Sequence, residues 1–425
     1  MNKTKIAING FGRIGRNAFK IAFERPDLEI VAVNDLSDTK TLAHLLKHDS
    51  NYGEYHRKVG FDEQNLLVED QKIKVLAEKD PAALPWKDLG VDIVIESTGL
   101  FVDPEKAKVH IDAGAKKIII SAPAKGDGSA TVVLGVNEEA IETAGEVINN
   151  GSCTTNCVAP VMAVLEENFG IEKAMMTTIH SYTASQRLQD APAKDLREAR
   201  NAASNIVPTT TGASISVAQA LPVVEGIFEG LSIRVPTPVV SLIDMSVLVK
   251  KDTTVNEVNE AFKKAAAEPY FQGILAVSEE PLVSTDYIGN SHSAIVDLEL
   301  THVVTGNFVK VVAWYDNEWG YCNRLVELTA DVARQLPKTE QTPQAEARPQ
   351  GTDDKGPEKK EEEPLLEPPH DSLLEEPKED KPPSPENPPV SPEETPLIPN
   401  RPPAVSKPSD DPFGSGKNID GIHRF

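Results

Sequence analysis

Cysteine is scarce in this chain of 425 residues: only Cys153, Cys157 and Cys322 are present. Three thiols, an odd number, give no disulfide framework, so the sequence suits a reducing compartment, expected to be the cytoplasm. Long apolar runs are missing as well. No unbroken stretch of about 18 apolar residues occurs, so no membrane-spanning helix is expected. The opening Met1-Asn-Lys-Thr-Lys-Ile-Ala-Ile-Asn9 has too short an apolar run for a signal peptide and suits a strand. Positive charge is also in deficit, 43 Lys+Arg against 66 Asp+Glu, for a net charge of −23. Such a surface repels phosphate backbones, so nucleic acid is not an expected partner, although a local pocket for a small phosphate remains compatible. No internal repeat is present.

Proline is distributed unevenly. Of 33 prolines, 19 fall in residues 338–425, a segment with 11 Lys+Arg, 20 Asp+Glu and no Trp, Tyr or Cys. It cannot bury enough apolar surface to offset chain entropy and is expected to be a disordered, acidic tail with extended proline-rich stretches. Its partner is unknown. Before it, two patterns follow one another. Over about residues 1–150, short apolar runs (Lys5–Asn9, Leu28–Val33, Asp92–Glu96, Lys117–Ser121) alternate with helical spacings (Arg13–Phe23, Thr39–Leu46, Pro104–Ala113). That alternation predicts an α/β, Rossmann-type doubly wound parallel sheet. Over 151–317, the longer runs Glu172–Ser181, Leu231–Val235, Val239–Val249, Ala294–Leu300 and Asn307–Tyr315 predict an α+β domain built on a mixed sheet. Helices are expected over Val158–Asn168 and Val255–Ala267. A last helix, within 318–336, is expected to return and complete the first domain.

Gly10-Phe-Gly12-Arg-Ile-Gly15 lies between a strand and a helix. Glycines at this spacing permit a tight turn, close approach of backbone to a pyrophosphate, and close helix–strand contact. Asp35 follows Gly15 by 20 residues at the end of the second strand, where a carboxylate accepts from a ribose 2′-OH and repels a 2′-phosphate. NAD is therefore expected. Cys153 sits in a loop rich in polar groups just before a helix, whose amino end stabilises a thiolate. His180 lies 27 residues later at the end of an apolar run, in position to serve as the base. Cys157 suits a packed small residue better than a resolving thiol or half of a metal pair, since further ligands at short spacing are lacking, and no metal is expected. Ser152, Thr154, Thr183, Thr209–Gly212 and Arg234 offer hydroxyls, amides and a cation suited to phosphate.

Together with Ser97-Thr-Gly-Leu-Phe101, Ser121-Ala-Pro123, Pro208-Thr-Thr-Thr-Gly212, Arg234-Val-Pro-Thr-Pro238 and Trp314-Tyr-Asp-Asn-Glu-Trp-Gly-Tyr321, these segments resemble the phosphorylating glyceraldehyde-3-phosphate dehydrogenases over about residues 3–336. The resemblance implies that Cys153 attacks the aldehyde of glyceraldehyde 3-phosphate, with His180 as base. It implies that Thr183 and Arg234 hold the substrate phosphate, and that Ser152, Thr154, Thr211 and Gly212 hold the attacking inorganic phosphate. Asn9, Gly10, Gly12, Arg13, Ile14, Gly15, Asp35, Thr98, Ser121, Asn317 and Tyr321 would bind NAD, Asn317 through the carboxamide. A loop over about 182–205 would reach a neighbouring subunit in a homotetramer. Ser185 departs from the aspartate of some members, and the tail lies outside the family pattern. Three other readings stay open: a relative acting on erythrose 4-phosphate, the same enzyme with an added adaptor role for the tail, and a tail whose end folds back on the cofactor cleft.

Overall fold

The computed structural model describes residues 3–337. The expectations for 338–425 lie outside the described residues.

Six strands form the centre of the first sheet: β1 (Thr4–Asn9), β2 (Leu28–Asn34), β3 (Gln71–Leu76), β4 (Ile93–Glu96), β5 (Lys117–Ile120) and β6 (Val147–Asn149). They lie in the order β6–β5–β4–β1–β2–β3, all parallel. Ala130–Thr131 extends one edge in parallel, while Asn65–Val68 and Val59–Phe61 extend the other edge antiparallel. Ile6, Ala7 and Ile8 are all fully buried, so β1 is covered on both faces, which is why its sequence is continuously apolar. Helix α1 (Arg13–Phe23) packs over β1 and β2 through Ala18, Phe19 and Ala22. The chain leaves β1 toward β2 on one side, and β4 joins from the other. A crevice opens where the direction of winding reverses, beyond the carboxyl ends of β1 and β4.

The second sheet is mixed. In space it runs β8 (Val207–Thr210), β9 (Phe228–Val235), β7 (Ile171–Ser181), β10 (Ser241–Val249), β13 (Phe308–Tyr315), β12 (Ala294–Asp297) and β11 (Leu275–Ser278), with His302–Val304 paired to β13. β7 is parallel to β9 and antiparallel to β10. Helices α2 (Cys153–Phe169), α3 (Ala213–Ala220) and α4 (Val255–Ala267) share one core with this sheet. α4 starts at a capping box between Thr254 and Glu257 and buries Val258, Phe262 and Ala265, a helical spacing. The last helix, α5 (Trp319–Gln335), buries Cys322, Leu325, Val326 and Leu328 in the core beneath the first sheet, against α1.

Several boundaries differ from the sequence expectation. The helix expected at Val158 starts at Cys153, because Ser152 caps it. Ser152 Oγ accepts from Thr155 N, and Ser152 N donates to Thr155 Oγ1. Cys153 is thus the first residue of the helix rather than a loop residue before it. The helix expected over Pro104–Ala113 is two short turns, Pro104–Ala107 and Val109–Asp112. The strand expected over Ala294–Leu300 stops at Asp297 and gives way to a 3-10 turn, Leu298–Leu300. β3, β6, β8, β11 and the edge strands of the first sheet are not among the strands read from the sequence.

Candidate active site

Cys153 opens α2, and His180 stands near the end of β7. Cys153 Sγ and His180 Nε2 are 3.4 Å apart. His180 Nδ1 is 2.7 Å from the Ser181 carbonyl oxygen, which can only accept. The ring proton therefore sits on Nδ1, and Nε2 turns its lone pair to the sulfur. His180 is buried, and burial, followed by the charge of Arg234, lowers it to about 3. At neutral pH it is an unprotonated base. Burial also pushes the Cys153 thiol up, opposed by Arg234 and the Thr154 amide. Cys153 as a residue is only half-buried.

Arg234 lies opposite His180 in the parallel pairing of β7 with β9, so both side chains leave the same face. Its guanidinium makes one long hydrogen bond, Nη1 to Ser181 O at 3.5 Å, and its Nε is buried without a partner. No carboxylate pairs with it among the described residues. A cation held this way has donors left for a dianion. Thr183 follows β7 in the next loop, with Oγ1 3.0 Å from Ser185 Oγ. Thr211 and Gly212 stand at the amino end of α3, where Gly212 leaves the helix without a side-chain cap.

The side chains of Thr154 and Ser152 are engaged within the protein. Thr154 is buried, and its hydroxyl lies 3.0 Å from that of Tyr315. Tyr315 Oη in turn lies 2.8 Å from Thr178 Oγ1, which donates to Leu242 O. Ser152 spends both its hydroxyl and its amide on the capping box. What remains for an anion at this helix end is the backbone: Cys153 N–H and Thr154 N–H have no acceptor within the helix. Cys157 and Cys322 are fully buried, and burial pushes both thiols up, so both are packing residues.

The turn from β1 into α1 has the shape a dinucleotide needs. Gly10 has φ +91°, and a Cβ there would meet Thr98 N at 2.6 Å. A Cβ on Gly15 would meet Gly10 O at 2.1 Å, whereas nothing lies within 4 Å of one on Gly12. Gly12 therefore faces open space at a helix amino end with free amides on Arg13 and Ile14. Asp35 receives Phe11 N at 2.9 Å and Ser37 N at 3.0 Å on a half-buried carboxylate at the end of β2. The Arg13 guanidinium is committed elsewhere, to Asp49 at 2.6 Å and to Glu318. Thr98 and Ser121 follow β4 and β5 on the same rim. Asn317 Oδ1 accepts from Ser241 Oγ at 3.2 Å, which frees its amide nitrogen to donate. Tyr321 is buried and donates to the carbonyl of Gly151, just before the cap. A thiol at a helix end beside a neutral imidazole can carry covalent chemistry on an aldehyde, and an open glycine turn can seat a dinucleotide.

Comparison with known proteins decides the family. The glyceraldehyde 3-phosphate dehydrogenase NAD binding domain matches residues 4–104, and the C-terminal domain of the same family matches 152–317. The chain belongs to the glyceraldehyde-3-phosphate dehydrogenase family. It is 55% identical over 330 residues to the enzyme of Geobacillus stearothermophilus, covering 77% of this chain and 98% of the relative. Identity is also 55% over 325 residues to that of Thermotoga maritima (76% and 97%) and 51% over 336 residues to that of Borreliella burgdorferi (78% and 100%). The chain is thus an NAD-dependent oxidoreductase of this family, with a Rossmann-type half and a mixed-sheet half. No helix among the described residues is long and apolar enough to cross a membrane.

Tyr315, Glu96, His110 and Ser241 were missed from the sequence. For Tyr315 a signal existed, since it lies inside the motif Trp314-Tyr-Asp-Asn-Glu. Glu96 closes the apolar run Asp92–Glu96 directly before Ser97, an acid at a strand end that could have marked it, whereas His110 and Ser241 lie in runs with nothing to mark them.

Proposed function

We propose that Cys153 and His180 carry the oxidative phosphorylation of glyceraldehyde 3-phosphate to 1,3-bisphosphoglycerate. Cys153 Sγ attacks the aldehyde carbon, and its proton passes to His180 Nε2. The new oxyanion is steadied by the free amide of Cys153 and by the imidazolium. NAD, when bound, supplies the acceptor for the hydride. The imidazolium returns that proton to the oxyanion, giving the hemithioacetal hydroxyl, and the neutral His180 then takes the hydroxyl proton back as the hydride departs, leaving a thioester on Cys153. Inorganic phosphate attacks that carbonyl, the carbon–sulfur bond breaks, and the thiolate returns. Arg234 and Thr183 hold the substrate phosphate. Thr211, Gly212 and the amino end of α2, Ser152 to Thr154, hold the attacking phosphate. Gly10, Gly12, Gly15, the amides of Arg13 and Ile14, and Asn9, Asp35, Thr98, Ser121, Asn317 and Tyr321 form the cofactor seat.

The observation that carries this reading is the 3.4 Å approach of the sulfur to an unprotonated imidazole nitrogen. A Cys153→Ser enzyme is expected to lose phosphate-dependent NADH production. Full retention of that activity would overturn the assignment. Erythrose 4-phosphate, one carbon longer, is expected to give the lower kcat/KM of the two aldehydes.

The same reading assigns 1–150 with helix 318–336 to the NAD-binding domain and 151–317 to the catalytic domain. It places the enzyme in the cytoplasm, where its thiols stay free. It also makes the protein a homotetramer. Leu188, Leu196 and Ile206, in and beside the 182–205 loop, are 73%, 83% and 71% exposed, an apolar set suited to a subunit contact. Native mass measurement is expected to give four times the 46.1 kDa chain.

A further inference from the structure

Beneath the cofactor turn lies a buried polar network that the chemistry of the thiol does not use. Asn34, Asn9 and Glu96 stand side by side at the carboxyl ends of β2, β1 and β4. Asn34 Nδ2 donates to Asn9 Oδ1 at 2.7 Å, and Asn9 Nδ2 donates to Glu96 Oε2 at 2.6 Å. The other carboxylate oxygen, Oε1, receives Thr98 N at 2.8 Å and the Thr98 hydroxyl. On the far side, His110 Nε2 lies 3.2 Å from Glu96 Oε2, and Trp86 Nε1 lies 3.0 Å from His110 Nδ1. Glu96, His110, Trp86 and Asn9 are each at most 1% exposed.

The indole can only donate. Nδ1 of His110 is therefore the acceptor, and its proton sits on Nε2, aimed at Glu96. The imidazole is neutral, and the carboxylate accepts from four neutral donors. A buried carboxylate without that set of donors would be costly, so Glu96 and its donors hold one another in place. Three of the four donors come from two residues beside the glycine turn, Thr98 and Asn9. Thr98 is the residue against which Gly10 packs, and Asn9 immediately precedes Gly10. Ser97 Oγ adds a bond to Gly10 O at 2.7 Å.

We propose that Glu96, oriented by the His110–Trp86 pair, is a positioning residue for the dinucleotide: it fixes the 97–99 segment and the glycine turn from behind. The proposal rests on the cofactor seat assigned above. His110 and Trp86 touch neither cofactor nor substrate. Their role is to hold the carboxylate that holds the rim.

The test uses the full chain with His110→Leu, His110→Gln and Trp86→Phe, and Asp35→Ala as a control of the seat itself. Apparent KM for NAD, kcat at saturating NAD, KM for the aldehyde, and the rate of Cys153 alkylation without cofactor are measured. His110→Leu removes one hydrogen bond to a charged group and is expected to raise KM for NAD roughly tenfold, with the other three within about twofold. His110→Gln, whose amide can still donate to Glu96, is expected to recover most of the loss. Trp86→Phe, which keeps an aromatic ring and loses the N–H, shifts KM for NAD in the same direction by a smaller factor and serves if His110→Leu does not fold. If Asp35→Ala raises KM for NAD while both His110→Leu and Trp86→Phe leave it unchanged, the positioning role fails and the seat stands. If Asp35→Ala has no effect, the seat itself fails and the proposal with it. A loss spread equally over kcat, both KM values and alkylation, not relieved by Gln, would reduce the network to general packing and overturn the proposal.

Discussion

His180 offers Cys153 a nitrogen whose protonation state is fixed from the opposite side of the ring: Nδ1–H donates a hydrogen bond to Ser181 O at 2.7 Å, and Nε2 meets the sulfur at 3.4 Å. The base is thus defined by a backbone carbonyl rather than by an acid. Replacing His180 with Asn retains a polar side chain but cannot accept and return the proton at that place. We expect kcat to fall by about 10²–10⁴, the usual range for a general base, with KM for NAD little changed. Steady-state kinetics at saturating substrates would check this, and a loss below tenfold would remove His180 from the proton path.

Arg234 acts on both partners. Its charge lowers the thiol and the imidazole alike. Removing it in Arg234→Leu should let both rise. A higher thiol value means less thiolate at neutral pH, so the alkylation profile of Cys153 shifts to higher pH and the rate at pH 7 falls. KM for the aldehyde phosphate should rise in the same variant, because a dianion loses its cation. An unchanged alkylation profile would show that the guanidinium does not act on the sulfur.

Tyr315 links the nucleophile's helix to β7. Thr178 donates to Leu242 O, so it accepts from Tyr315, and the Tyr315 oxygen accepts from Thr154. Tyr315→Phe leaves the buried Thr154 hydroxyl without its acceptor, a cost of about 1–3 kcal/mol. Denaturant unfolding should show that loss with kcat within a few-fold of the parent. Full stability would mean that Thr154 finds another acceptor.

In the proposed cofactor seat Asp35 stands at the ribose position. Asp35→Gly removes the acceptor for a 2′-OH and the charge that repels a 2′-phosphate. The ratio of kcat/KM for NAD to that for NADP is expected to fall by at least roughly tenfold, the effect of one hydrogen bond to a charged group. A ratio that does not move would place cofactor choice on other residues.

The sequence was a good guide wherever one residue type has one physical use. Gly10 and Gly15 are required by a positive φ and a 2.1 Å conflict, Gly12 leaves the face above the helix end open, and their spacing is visible in the chain. β1, β2, β4 and β5 are legible because burial makes them largely apolar, whereas β3, Gln71–Leu76, alternates lysines with apolar residues and stays half-exposed. Side-chain direction was not legible. Thr154 sits beside the nucleophile in the chain yet turns its hydroxyl to Tyr315, 161 residues away. Arg13 belongs to the fingerprint yet gives its guanidinium to Asp49 and to Glu318, 305 residues away. Partners so distant in sequence leave no local pattern. The short edge strands were missed because two to four residues carry too little periodicity to register.

The helix Trp319–Gln335 supplies Leu325, Val326 and Leu328 to the core under the first sheet. On the ribosome, the first 150 residues therefore emerge long before the segment that roofs them, and the whole mixed sheet is synthesised in between. Until that helix arrives, the earlier part exposes an oily underside, a natural target for chaperones. Chains cut short before Trp319 should collect there and not as folded nucleotide-binding fragments.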